Sequence, residues 1–197
     1  MEAFDYVAPR SLAEAYTALG NGRTSLLLAG GTDVIVQLRE GRKRCEQLID
    51  LKHIPEMITH GFAADGTLEV GAATPLAVLY EDPEVRQRMP ALVDAASIIG
   101  GIAIQSRASL GGNLCNASPA ADSSPALIAL GAIPRIGAPG GTRDLPVEQF
   151  FAGVGQNVLQ PGEILLQVRI PALPEHAGAF YQRFIPRNEM DIAVVGV

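Results

Sequence analysis

Cysteine and histidine are scarce in this chain of 197 residues, which contains two cysteines and three histidines. A disulfide-stabilised secreted domain would carry more cysteines, in even numbers. Cys45 and Cys115 are too few to hold a zinc ion or an iron–sulfur cluster within this chain, and the histidines show no metal-ligand spacing. We therefore expect no metal site, treat Cys115 as a structural residue and place the histidines on the surface.

Targeting signals and long apolar runs are also missing. The segment Met1 to Asp5 lacks the basic and apolar regions of a signal peptide, and no apolar run approaches the length that spans a membrane. These absences predict a soluble, cytoplasmic protein. The net charge of −6 and the pI of about 5 argue against nucleic acid as a partner, because phosphate binding needs a basic face.

Two familiar active-site motifs are absent as well. No Gly-x-Ser-x-Gly nucleophile motif occurs, and neither glycine pair has the G-x-G-x-x-G spacing of a Rossmann fingerprint. We therefore predict no catalytic side chain in this sequence.

Secondary-structure signals are plentiful and of mixed type. Ser11 and Glu14 form a capping-box pattern that begins a helix, and apolar runs predict strands at 25–29, 48–51, 67–71, 133–136, 164–170 and 179–185. Further helices are predicted at 76–80 and 126–130, with Thr74 and Ser124, each before Pro, as their N-caps, and at 91–99. Because strands and helices alternate without a strict βαβ rhythm, we expect an α+β fold rather than one doubly wound sheet.

Two glycine-pair segments are the most informative feature. Ala29-Gly30-Gly31-Thr32-Asp33 follows a predicted strand and precedes a short helix, and Ser109-Leu110-Gly111-Gly112-Asn113 opens a stretch of small polar residues predicted to be irregular up to Asp122. Glycine leaves backbone N–H groups accessible, and such groups bind phosphate. Two such segments favour a ligand with a phosphate-rich middle, such as FAD; a plain turn and a surface loop are the structural alternatives.

Taken in order, these and four further motifs resemble the FAD-binding (medium) subunits of molybdenum hydroxylases, the family of xanthine dehydrogenase and aerobic carbon monoxide dehydrogenase. The further motifs are Gly71-Ala72-Ala73-Thr74, Ser118-Pro119-Ala120-Ala121-Asp122, Gly162-Glu163-Ile164-Leu165 and Arg187-Asn188-Glu189-Met190-Asp191-Ile192-Ala193. They cover nearly the whole chain.

The resemblance implies a two-lobed, vanillyl-alcohol-oxidase-like (PCMH-type) FAD-binding fold. It places FAD-binding lobes at residues 1–60 and 61–177, and the start of a truncated C-terminal domain at 178–197. It also implies that FAD lies between the lobes, with its pyrophosphate and ribityl chain against 27–34, its diphosphate held by 109–113, and its hydroxyls bonded to Asp122. The implied cofactor-binding residues are Leu27, Leu28, Ala29, Gly30, Gly31, Thr32, Asp33, Val34, Ile99, Ser109, Leu110, Gly111, Gly112, Asn113, Ser118, Asp122, Ile164, Leu165 and Arg183.

In function, the resemblance implies an electron-transfer subunit of an oxidoreductase. A molybdopterin-binding large subunit would oxidise the organic substrate, and electrons would pass through the [2Fe–2S] clusters of a small subunit to FAD and then to NAD, a quinone or oxygen. Two alternatives stay open at this point: a self-contained FAD-dependent oxidase, and a non-catalytic FAD- or nucleotide-binding module.

Overall fold

Two sheets of different construction organise the chain, which is seen in a computed structural model that describes residues 2–187 and 191–197. The first lobe has a parallel sheet and the second an antiparallel one. The change falls between Asp50 and His60, beside the predicted domain boundary. The elements of the first lobe are β1 (Asp5–Val7), α1 (Leu12–Leu19), β2 (Ser25–Leu28), α2 (Val34–Arg39) and β3 (Gln47–Asp50), followed by 3-10 turns at Leu51–His53 and Pro55–Met57.

The first lobe is a small parallel unit in which β3 lies between β1 and β2. All four residues of β3 are buried, as expected for a central strand covered on both faces. Helix α2 is the crossover from β2 to β3. The α+β prediction holds for the whole chain, but this lobe does follow a βαβ order, which the short elements concealed.

The second lobe surrounds a five-stranded sheet of order β4-β5-β10-β6-β7, in which every pair is antiparallel. Its elements are β4 (His60–Phe62), β5 (Leu68–Gly71), α3 (Leu76–Glu81), α4 (Pro83–Arg88), α5 (Pro90–Ser97), α6 (Ile102–Gln105), α7 (Leu110–Asn116), α8 (Ser123–Ala129), β6 (Ile133–Ala138), β7 (Gly141–Asp144), a 3-10 turn at Val147–Gln149, β8 (Phe151–Gly153), β9 (Gln156–Asn157) and β10 (Ile164–Ile170). A short pair, β11 (Arg183–Phe184) and β12 (Val195–Gly196), follows.

One hydrophobic core joins the two lobes. Ile49 and Leu51 of the first lobe belong to the same buried cluster as Leu76, Leu110 and Ile164 of the second. The lobes are therefore packed together through apolar side chains, and a cleft at their boundary has fixed walls.

Several predicted elements need correction. Residues 110–116 form helix α7 instead of an irregular stretch, with Ser109 as its N-cap and Ala117 as a left-handed C-cap. Of the strand predicted at 179–185, the structure pairs only the two residues of β11. The motif residues Asn188, Glu189 and Met190 lie outside the described residues.

The N-termini of two helices also differ from the predicted ones. Pro75 occupies the N-cap of α3, and the hydroxyl of Thr74 donates to the backbone oxygen of Thr59 instead of capping the helix. Helix α8 begins at Ser123, so Ser124 and Pro125 lie in its first turn. The capping box of α1 is confirmed on one side: Ser11 accepts from the backbone N–H of Glu14, whose carboxylate accepts from Arg10 rather than Ser11.

Candidate functional site

A cleft of about 640 Å³ runs along the boundary between the lobes. The first glycine segment, residues 29–34, forms one wall, and residues 108–116 with 118–122 form the opposite wall. Its volume lies within the roughly 300–1,000 Å³ typical of small-molecule and cofactor sites. The structure thus brings together two segments about eighty positions apart in sequence.

The two walls touch at Gly30. A Cβ atom at this position would lie 2.1 Å from the backbone oxygen of Arg107 and 2.8 Å from the Cα atom of Ala108. Any side chain here would push the walls apart, so the close approach requires glycine.

The first wall presents free backbone donors. Gly31 has φ +79°, a conformation that favours glycine, and it turns the chain from β2 into α2. Among the described residues, no protein acceptor takes the backbone N–H groups of Gly31, Thr32 and Asp33. Asp33 occupies the N-cap of α2, but its exposed side chain makes no capping hydrogen bond.

The second wall is the first turn of α7. The Ser109 hydroxyl accepts from the backbone N–H of Gly112 at 3.1 Å, which fixes the helix start. A Cβ atom on Gly111 would lie 2.5 Å from the backbone oxygen of Ala72, so this glycine packs against the chain that follows β5 in its own lobe. A Cβ atom on Gly112 would instead lie 3.1 Å from Ser109 Oγ and 3.8 Å from the Cβ atom of Ala29 across the cleft.

Polar side chains next to α7 hold its wall in place. The Ser123 hydroxyl donates to the Asn113 side-chain oxygen at 2.5 Å, and the Ser118 hydroxyl accepts from the backbone N–H of Ala120. The side-chain amide of Asn157 donates to the backbone oxygen of Cys115 at 2.8 Å. Within the part of the chain that the structure describes, no protein acceptor takes the NH₂ group of Asn113, which is available to a ligand.

A buried ion pair closes one part of the cleft. Asp122, 7% exposed, accepts from the Tyr181 hydroxyl at 3.0 Å and from Arg183 Nη1 at 3.2 Å. Burial and the hydrogen bond to Asp122 raise the pKa of Tyr181 well above its ordinary value, so the hydroxyl remains a donor. Both oxygens of Asp122 thus have protein donors, and its contact with ligand hydroxyls stays a prediction.

The structure gathers most of the predicted site residues around this one cleft. Two of the nineteen do not line it: Leu28 packs with Leu38 and Leu48, and Leu110 lies fully buried in the shared core. The residues that do line it are Leu27, Ala29, Gly30, Gly31, Thr32, Asp33, Val34, Ile99, Ser109, Gly111, Gly112, Asn113, Ser118, Asp122, Ile164, Leu165 and Arg183.

Other lining residues carried no local sequence signal. Gln37 of α2 donates to the Asn116 side chain of α7 at 2.9 Å, which bridges the lobes across the cleft. Lys43 adds a positive charge near this end, and Met57 and Leu159 add apolar surface. Helix positions with ordinary polar residues cannot be recognised as site residues until the fold places them together.

The cysteine and histidine side chains in the described part of the chain show no reactive or metal-binding arrangement. Desolvation raises the pKa of the Cys115 thiol to about 12, which agrees with a structural role. No group of three or more His, Cys, Asp or Glu side chains gathers as a metal site among the residues described. His60 is not a plain surface residue, because it is partly buried and lies 2.9 Å from Asp82.

Within 2–187 and 191–197, no helix is long and apolar enough to cross a membrane.

These walls suit a ligand with an anionic middle and apolar ends. Free N–H groups and an absence of side chains at the glycines permit close approach of phosphate oxygens. Ile99, Ile164 and Leu165 supply apolar surface for flat rings. The residues present therefore fit FAD.

Comparison with known proteins gives consistent matches. The family described as "FAD binding domain in molybdopterin dehydrogenase" matches residues 2–173. The xanthine dehydrogenase FAD-binding subunit of Escherichia coli O157:H7 is 36% identical over 192 residues, which cover 97% of this chain and 66% of that protein. The carbon monoxide dehydrogenase medium chain of Hydrogenophaga pseudoflava is 32% identical over 195 residues, covering 98% and 67%.

Solved structures show the same fold. A chain of the Hydrogenophaga pseudoflava carbon monoxide dehydrogenase that lacks the Mo-pyranopterin moiety superposes with a TM-score of 0.94 at 31% identity, over 99% of this chain and 68% of that one. Quinoline 2-oxidoreductase from Pseudomonas putida 86 gives 0.92 at 28% identity, over 99% and 67%. The chain spans about two thirds of the length of the relatives it matches.

Proposed function

The chain belongs to the family of FAD-binding domains of molybdopterin dehydrogenases, and on that premise we propose that it is an electron-transfer subunit of a molybdenum hydroxylase. Its cofactor is FAD. In this proposal, electrons arrive from [2Fe–2S] clusters of a partner small subunit, after a molybdopterin-binding large subunit has oxidised the substrate. An external acceptor, NAD, a quinone or oxygen, then receives them.

One observation carries the proposal: two glycine segments from different lobes form opposite walls of one cleft in a chain of this family. The names of the relatives support the wider role, because they are a FAD-binding subunit of xanthine dehydrogenase and a medium chain of carbon monoxide dehydrogenase. The words "subunit" and "medium chain" in these names imply further subunits, which we propose for this protein as well.

Bound FAD supplies the isoalloxazine ring, which takes up and passes on electrons. The chain's own residues bind and orient the cofactor. We assign the free N–H groups of Gly31 to Asp33 and the Asn113 amide to its phosphates and sugar hydroxyls. We assign Ile99, Ile164 and Leu165 to its flat rings. Arg183 would present a positive charge at a position fixed by its bond to Asp122.

The absorption spectrum of the purified protein tests cofactor binding. We expect an oxidised-flavin spectrum and about one FAD per chain, identified by chromatography after release from the protein. A protein that stays colourless after incubation with FAD would contradict the assignment.

Gly112→Val tests whether the cleft is the binding site. The new side chain faces Ala29 across the cleft, so we expect loss of FAD with the fold retained. Gly61→Val is the matched control, because nothing lies within 4 Å of a Cβ atom at this strand position. Equal FAD content in both variants would place the site elsewhere.

Electron transfer is tested on the assembled complex. Copurification of a [2Fe–2S] subunit and a molybdopterin subunit, followed by substrate-dependent bleaching of the flavin spectrum, is the expected result. Turnover of an organic substrate by this chain alone would instead favour a self-contained oxidase.

A further inference from the structure

A charged network lies behind the first glycine wall, on residues that sequence reasoning did not single out. Lys52 Nζ donates to the backbone oxygen of Ala29 at 2.8 Å and to Asp50 Oδ1 at 2.7 Å. The Tyr6 hydroxyl donates to the other oxygen of Asp50 at 2.5 Å. Strands β1 and β3 and the following 3-10 turn thus converge on one peptide of the cleft wall.

The hydrogen bonds of this network keep the Asp50 carboxylate ionised and fix its position. Only 5% of the Asp50 side chain is exposed, and its oxygens also accept the backbone N–H of Lys52. Burial raises the pKa of Asp50, but hydrogen bonds from Lys52 and Tyr6 outweigh burial and bring it below the ordinary value. A buried carboxylate paired in this way holds its lysine in one place.

The peptide that Lys52 holds is the one that enters the glycine pair. In a planar trans peptide, the C=O of Ala29 and the N–H of Gly30 point in opposite directions. Ala29 and Gly30 line the cleft, whereas Lys52 is outside the set of residues that line it. Because Lys52 holds the Ala29 oxygen from behind the wall, the N–H of Gly30 points towards the cleft side of the wall.

We infer that Lys52 is a positioning residue for the cofactor: through its bond to the Ala29 oxygen it turns the Ala29–Gly30 peptide so that the Gly30 N–H faces the cleft. This inference rests on the proposed FAD site. Without Lys52 the peptide can rotate and present a carbonyl oxygen, which repels phosphate, where a donor stood. Lys52 contacts no ligand itself and acts only through the backbone.

The test is the dissociation constant of FAD, measured by titrating the FAD-free protein. Lys52→Met alone would leave Asp50 buried without its cation, so the decisive variant is Asp50→Asn/Lys52→Met, which removes both charges. We expect it to bind FAD about tenfold more weakly or worse, which corresponds to loss of one charge-assisted hydrogen bond. Lys52→Arg, which keeps a charged donor, should bind within about threefold of the wild type.

Arg23→Met is the matched control. Arg23 also donates to a carboxylate, Asp5, and to a backbone oxygen, that of Glu46, in the same lobe but outside the cleft. Its loss should leave the dissociation constant within about twofold. Hydrogen exchange gives a second readout: the peptide covering 27–33 should exchange faster in the double variant than in the wild type, with the rest of the protein unchanged.

The outcomes separate this inference from the proposed function. Failure of the wild type to bind FAD overturns the cofactor site and the inference with it. If the wild type binds FAD and the dissociation constant of the double variant stays within twofold of the wild-type value, the inference alone is overturned. The same holds if Arg23→Met weakens FAD binding as much as the double variant does. If the double variant does not fold, Asp50→Asn/Lys52→Gln, a neutral pair with a shorter donor, is judged by the same criteria.

Discussion

The contact between the walls at Gly30 gives the sharpest prediction, for Gly30→Ala. The added Cβ atom would lie 2.1 Å from the Arg107 oxygen, whereas ordinary contact begins at 3.4 Å, so the walls must separate by about 1.3 Å. The obstacle is backbone on both sides, which cannot rotate away as a side chain would. Overpacking of this kind costs about 1–3 kcal/mol.

For a chain of this size, that cost lowers the melting temperature by about 2–12 °C. FAD binding should also weaken, because separating the walls displaces the backbone N–H groups assigned to the phosphates. Thermal unfolding of the FAD-free protein and FAD titration measure the two effects separately.

Gly140→Ala is the control for Gly30→Ala. A Cβ atom at Gly140 meets nothing within 4 Å, so the change should stay within about 0.5 kcal/mol. If Gly30→Ala melts and binds FAD like Gly140→Ala, the walls do not meet at Gly30 as described, and the reasoning fails.

Three further predictions concern the site's surroundings. Tyr181→Phe should lower the free energy of unfolding in urea by about 1 kcal/mol, and Arg183→Gln by about 3–5 kcal/mol, because only the second change leaves buried Asp122 without a cation; the reverse order would contradict the buried ion pair. Asp50 has a lowered pKa in the folded state, so its contribution to stability is full above about pH 3.8 and is lost as the pH falls through the folded pKa. The stability difference between wild type and Asp50→Asn should therefore shrink from pH 5 to pH 2, and a difference that grows would refute the pairing. Cys115, with its pKa raised to about 12, should react with iodoacetamide at pH 8 roughly a thousandfold more slowly than a free cysteine, as followed by mass spectrometry; labelling at the free rate would show that the thiol is not desolvated.

Local patterns predicted the elements whose causes are local. Strand β10 has the predicted bounds, 164–170, because apolar residues followed by an apolar–polar alternation, flanked by turn residues, specify a strand. The N-terminal cap of α1 at Ser11 follows from the short range of a capping bond.

Helix α7 was not predicted, because its cause is contact with distant parts of the chain. Gly111 and Gly112 disfavour a helix by about 1 kcal/mol each, so the local pattern indicates a loop. Contact with distant chain reverses this preference, since the Gly111 N–H donates to the Ala72 oxygen and no side chain could fit between them.

The sequence by itself determined the fold class, the FAD cofactor and the two glycine segments, because each depends on residue types in a fixed order. Only the tertiary structure decided which groups support the cleft. Asp122 and Arg183 are 61 positions apart and Lys52 and Ala29 are 23 apart. Bonds between such residues leave no periodic trace in the chain, and they form only when the fold brings their elements together.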